Sequence, residues 1–134
     1  MMEPMSNQQI VRQQAEAPVV RERVVPIDHV RISATTAGTA QTIYTVPVKS
    51  AFRLQSLMIS NISASDVTFS IYAVPPSGSA GDDNVLIKSA IIRANASDDL
   101  APYLGKFYKP GYTLRVFVSS ASNVAMDGYG SEVF

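Results

Sequence analysis

Cysteine and tryptophan are both missing from this 134-residue sequence, and histidine occurs once, as His29. Without cysteine there are no disulfides, no thiolate metal sites and no thiol nucleophile. A lone histidine removes most acid–base and metal-binding arrangements, which draw on several imidazoles. Net charge is also missing: eleven basic side chains face eleven acidic ones. Residues 1–26 balance three against three, and residues 27–134 balance eight against eight. A chain that lives on nucleic acid needs a basic surface to displace counterions, so no nucleic-acid partner is expected. No run reaches the ~18 apolar residues of a helical membrane span, and no membrane partner is expected. The opening MMEPM lacks the basic start and apolar run of a signal peptide, so none is expected.

What is present is a low-charge, apolar composition, 46% hydrophobic and 16% charged, in a length that suits one domain. A free monomer usually carries more net charge for solubility, so this balance suits a surface held against neighbours.

The chain divides at about residue 26. Residues 1–26 hold four glutamines in the first fourteen positions, with Pro4, Pro18 and Pro26 as punctuation. Ser6 and Gln9 have capping-box spacing for a short helix over 6–15. That helix has too few apolar residues to bury a face alone. Residues 17–25 read as extended, with Val19, Val20, Val24 and Val25 lacking a local core. The expectation is an N-terminal arm whose four valines are buried on a neighbouring subunit, beside a 27–134 β-sandwich domain.

From residue 27 the pattern is strand and turn. Strands are expected over 27–33, 41–46, 51–61, 67–73, 112–118 and 124–134. Val67, Phe69, Ile71 and Ala73 alternate with polar residues as in a half-buried strand. Leu54, Leu57, Met58 and Ile59 suggest burial on both faces of a central strand. Residues 85–92 read as strand or short helix, and 100–104 is ambiguous. Residues 75–84 form a loop rich in turn formers, and Lys109-Pro110-Gly111 a tight turn. Gly128 and Gly130 suggest a bend or bulge in the last strand. Seven or eight short strands with no long helix point to an all-β, antiparallel, jelly-roll-like sandwich.

Chemistry-bearing motifs are few. Asp28 and His29 are adjacent, which puts them on opposite faces of a strand and denies them a dyad geometry. Asp82-Asp83-Asn84 lacks the alternating acids, glycine and terminal glutamate of a calcium loop, and reads as a polar turn. Asp98-Asp99 reads the same way. No phosphate-binding glycine pattern occurs. No catalytic residue, cofactor or metal is expected. Tyr103, Phe107, Tyr108 and Tyr112 cluster with Lys106 and Lys109, and form a candidate partner surface through packing or stacking on bases or sugars.

Several features in order resemble small β-sandwich virion proteins of tailed bacteriophages. They are the threonine-rich strand TAQTIYTVP at 39–47, the strand–turn–strand LMISNISASDVTFSIY at 57–72, the loop VPPSGSAGDDN at 74–84, and the PGYTL turn at 110–114. The resemblance spans about three-quarters of the chain. It implies a non-enzymatic structural protein of the virion, assembled in the host cytoplasm. The implied roles are a capsid decoration or cement protein, or else a neck, collar or tail component, or a receptor- or glycan-binding fibre module. The implied partners are copies of itself and other virion proteins, such as major capsid or neck proteins. It carries over no residue with an assigned role.

Overall fold

The computed structural model describes residues 21–134, and the expected arm residues Val19 and Val20, with the helix over 6–15, lie outside them. Nine strands are described: β1 Glu22–Ile32, β2 Gln41–Thr45, β3 Ala51–Asn61, β4 Val67–Val74, β5 Val85–Ile92, β6 Ser97–Asp99, β7 Phe107–Tyr108, β8 Thr113–Val118 and β9 Val124–Val133. One short helix, α1 (Ala101–Leu104), follows β6. Pro102 falls in its first turn, where a missing N–H costs nothing. Every strand pairing is antiparallel. One sheet runs β1-β9-β3-β6, with β7 also on β3, and the other runs β2-β8-β4-β5. Apart from the two-residue β7, which makes the first sheet five-stranded, this interleaved order is the double Greek key of a jelly roll, so the expected all-β sandwich is the observed fold.

The core follows from period-two alternation on both sheets. Leu114, Val116 and Val118 of β8 face Phe69, Ile71 and Ala73 of β4 in register, and all six are buried. Opposite them, Val124 and Met126 of β9 lie beside Asn61 and Ile59 of β3.

Three bulges decide which side chains reach that core. In β3 the register slips between Leu54 and Ser56, so Phe52 and Leu54 are buried before the slip, and Leu57 and Ile59 after it. The odd spacing from Leu54 to Leu57 therefore marks a bulge. It is not the two-faced burial expected from sequence, and Met58 is only half-buried. In β1 a slip between Ile27 and Val30 does the same. In β2 a slip between Thr42 and Tyr44 leaves Ile43 out of the pairing and turns Gln41 and Tyr44 inward.

β4 also departs from expectation, since it is buried on both faces rather than one. On its outer face Tyr72 stacks on Phe117, with ring centroids 6.0 Å apart. The Ser70 hydroxyl accepts the Ser89 N–H at 2.9 Å, so a β5 irregularity, not a core, covers it.

β1 begins at Glu22, earlier than the boundary at 26 drawn from sequence. Residues 22–26 pair with 129–133 of this same chain. Alternation splits the two valines placed there: Val25 packs on the core, and Val24 is 67% exposed on the outer face.

Gly128 and Gly130 sit in β9 beside β3, whose bulge brings its backbone close. A Cβ on Gly128 would lie 2.0 Å from the Ser56 carbonyl oxygen, and one on Gly130 2.3 Å from the Phe52 ring. The bulge is thus in the partner strand, and the glycines of β9 make room for it. Gly128→Ala drives a methyl into backbone that cannot rotate away. It is expected to destabilise the fold by at least ~1–3 kcal/mol, the usual range for overpacking, read as a lower urea midpoint with an unchanged slope.

Candidate functional site

The two sides of the sandwich differ. On the β1/β2 side the sheets are tied together by polar groups. Glu132 of β9 points between the sheets and is only 5% exposed. Its Oε1 accepts the Tyr44 hydroxyl of β2 at 2.8 Å, and its Oε2 accepts the Arg23 guanidinium of β1. Phe52 packs on Tyr44 with centroids 4.2 Å apart, and Gly130 leaves the space for that ring. Further along, Gln41 bridges to β1: its Oε1 accepts the Ser33 N–H at 2.9 Å and its Nε2 donates to the Arg31 carbonyl at 3.2 Å.

This arrangement sets the protonation of both partners. The Arg23 hydrogen bond holds Glu132 below the usual carboxylate range despite its burial, with the Tyr44 hydroxyl assisting. Burial raises the Tyr44 hydroxyl above its ordinary range, and its bond to Glu132 adds to that. A buried carboxylate without these partners carries a large desolvation cost. Sequence reading missed Glu132, because its partners come from three strands far apart in the chain and no local pattern announces them.

On the β5/β6 side there is a cleft of about 470 Å³. Its apolar walls include Phe69, Leu86, Ile87 and Leu100, and Ile91 and Tyr103 line it while standing 59% and 73% exposed. Asp98 is the one charged side chain in the lining. Among the described residues it makes no ion pair.

A third surface is the outer face of the β1-β9-β3 sheet. Registration aligns Val24, Ser131, Arg53 and Phe107 across four strands. Tyr129 stands beside Pro26 in the adjoining row. Val24, Phe107 and Tyr129 are 67%, 58% and 48% exposed.

The four aromatics expected to share a partner surface do not all stand together: Tyr103 lies apart from the other three. Tyr103 is exposed on α1, at the cleft. Phe107 is exposed on β7. Tyr108 is 3% exposed, donates its hydroxyl to the Leu104 carbonyl at 2.7 Å, and has Lys106 over its ring. Burial pushes its hydroxyl pKa up to about 12. Tyr112 is half-buried against the core. Phe107, Tyr108 and Tyr112 do line one hollow of about 150 Å³ with Lys106 and Lys109, but Tyr108 presents no free face there. Alternation on the two-residue β7 is the reason: Tyr108 is opposite buried Phe52, and Phe107 opposite outward Arg53.

The remaining polar motifs have local partners. His29 pairs through Nδ1 with Asp127 at 2.9 Å, on the surface. Asn84 organises its loop, accepting the Gly81 N–H and donating to the Ser79 carbonyl. Asp99 accepts the Leu57 and Ala101 N–H groups. Asn61 is 2% exposed, donating its amide to the Ser65 and Ile92 carbonyls and accepting the Ser63 N–H and hydroxyl. Among the described residues no group of three or more His, Asp or Glu side chains stands close enough to hold a metal ion.

No family model and no curated protein matches the chain. Among solved structures, it is similar to a chain of infectious bursal disease virus, Gx strain, with a TM-score of 0.47 and 9% identity. That match covers 86% of this chain and 32% of the viral one. The T13 particle of the same virus gives 0.45 and 8%, over 84% and 31%. A subunit of the disulfide-linked pili that form Bacillus endospore appendages gives 0.39 and 16%, over 84% and 88%. The chain thus spans about a third of the viral chains it overlaps.

The Glu132 cluster predicts how stability depends on pH. Its folded-state pKa lies below the ordinary 4.5, so its stabilisation is complete above pH 4.5 and is lost as pH falls through the lower folded value. Tyr44 has the opposite sign: its contribution is complete below pH 10 and is lost as pH rises through its raised folded value. Glu132→Gln is expected to cost about 1–3 kcal/mol at neutral pH. The gap between the two urea midpoints is expected to narrow below pH 4.5; a gap constant with pH would contradict the assignment.

Proposed function

We propose that this chain is a non-enzymatic structural subunit of a virion, working through contact area with copies of itself and with other particle proteins. In its sharper form the proposal is a capsid decoration or cement protein of a tailed bacteriophage, with a neck, collar or tail position as the alternative. The observation that carries it is the pairing of a neutral, low-charge chain with large apolar side chains that one copy leaves uncovered. Val24, Phe107 and Tyr129 share one sheet face, and Ile91 and Tyr103 line a cleft on the opposite edge. Grouped apolar exposure of this kind belongs to contact surfaces. Strand edges add to it, because the outer edges of β1, β2, β5 and β6 have no further strand to pair with among the described residues. The sequence resemblance to small phage β-sandwich proteins supplies the viral setting.

The N-terminal arm belongs to this proposal. Since β1 starts at Glu22, the segment assigned to a neighbour is residues 1–20, with Val19 and Val20 near its root. Val24 then acts from the body, not the arm, and Val25 packs on the body's own core.

Quantitative mass spectrometry of purified virions from the source of this gene tests the reading. The chain is expected in the particles at a fixed ratio to the major capsid protein. Hundreds of copies per particle mean a position on the head, and about a dozen or fewer a neck or tail position, by the symmetry of closed assemblies. Absence from the particles would contradict the proposal.

A further inference from the structure

The cleft on the β5/β6 side and the chain entering β1 stand at opposite edges of the molecule. β1 is the outer strand of one sheet edge, and β6 and β5 are the outer strands at the other. They also stand toward opposite ends. β1 enters at Glu22, level with Val133 and Ala51, whereas β6 pairs with β3 at Met58 to Ser60.

The occupant suggested by chemistry lies in residues 1–20. The cleft is apolar with one carboxylate, Asp98. Residues 1–20 contain one basic side chain, Arg12, directly preceded by the apolar pair Ile10-Val11. An Ile-Val-Arg tripeptide matches an apolar groove with one unpaired carboxylate in both hydrophobicity and charge.

Reach decides whose arm it is. The nine residues from Arg21 back to Arg12 span at most ~30 Å when extended. Within one copy the path crosses three strand spacings, ~14 Å, and runs about seven residues along β3, ~23 Å, which makes roughly 27 Å over the surface before it turns in between the sheets. An arm would spend nearly all of its length on that path, leaving only ~3–5 Å to turn into the cleft. A neighbour stacked cleft-to-edge removes the path.

We propose that the β5/β6 cleft receives Ile10, Val11 and Arg12 of a second copy of this chain, with Arg12 against Asp98. The contact is head-to-tail: each copy gives an arm from one edge and takes one at the other. Such a contact closes into a ring or runs on as a filament. The inference rests on the assembly reading above and specifies its partner.

The chain has no cysteine, so site-specific crosslinking tests this in the full-length protein. Arg12→Cys in one chain and Asp98→Cys in another are mixed under mild oxidation. The expected result is a mixed covalent dimer formed about a hundredfold faster than with Ala121→Cys as the partner, from the effective concentration of a docked arm. The double variant R12C/D98C is expected to give a ladder of linked chains; internally linked monomer alone would overturn the second-copy assignment. Ile91→Asp, at an exposed position, is expected to keep the thermal midpoint and abolish both crosslink and assembly. Deletion of residues 1–20 separates the two levels. If deletion dissociates the protein while Arg12→Cys and Asp98→Cys give no crosslink and Ile91→Asp assembles normally, the cleft assignment is wrong and arm exchange stands. If the deleted chain assembles like the full chain, arm exchange falls, and this inference with it.

Discussion

Glu132 lies between the two sheets with its carboxylate held from both of them, by Arg23 of β1 and by Tyr44 of β2. A carboxylate in that position is stable only while the sheets stay together on that side, so it acts as a tie as well as a charge. Its surroundings are arranged to allow it. Gly130 makes room for Phe52, Phe52 supports the Tyr44 ring, and the β2 bulge turns Tyr44 inward. With Gln41 bridging to β1 as well, the β1/β2 side of the sandwich is closed.

The β5/β6 side is built from weaker elements. β6 has three residues, α1 four, and β5 pairs with β4 through two register shifts. These short pieces leave the sheets apart over the cleft, and its apolar walls meet solvent through Ile91 and Tyr103. One sandwich thus carries a closed edge, where β1 begins, and an open edge with an apolar recess. A subunit with unlike edges suits heterologous contacts better than a self-complementary one, which would need the same patch on both partners.

Much of the fold was legible in the sequence, and the reasons for success and failure are physical. Strict alternation announced β4 and β8, and Pro110-Gly111 announced its turn, where Gly111 takes φ +80° and the Tyr112 N–H returns to the Lys109 carbonyl. Bulges were the main obstacle. Leu54 and Leu57, and likewise Ile27 and Val30, change phase by one residue, and a period-two reading turns such a change into two-faced burial or a lost strand. The early start of β1 was hidden in this way, because Val25 and Ile27 share a face that Val30 and Ile32 rejoin only after the slip. Which side chains a short strand exposes turns on a single residue's facing. Tyr108 and Phe107 are neighbours in composition and opposites in space. Glu132, Asp98 and the cleft came from long-range pairing, which one sequence does not display.

If the open edge is a receptor for another copy, the mass of the intact protein in solution tests it most directly. Sedimentation of the full-length chain over a wide concentration range is predicted to show species heavier than one 14.4 kDa chain, growing with concentration toward a closed ring or a filament. A single 14.4 kDa species at every concentration, in the absence of any other protein, would contradict it.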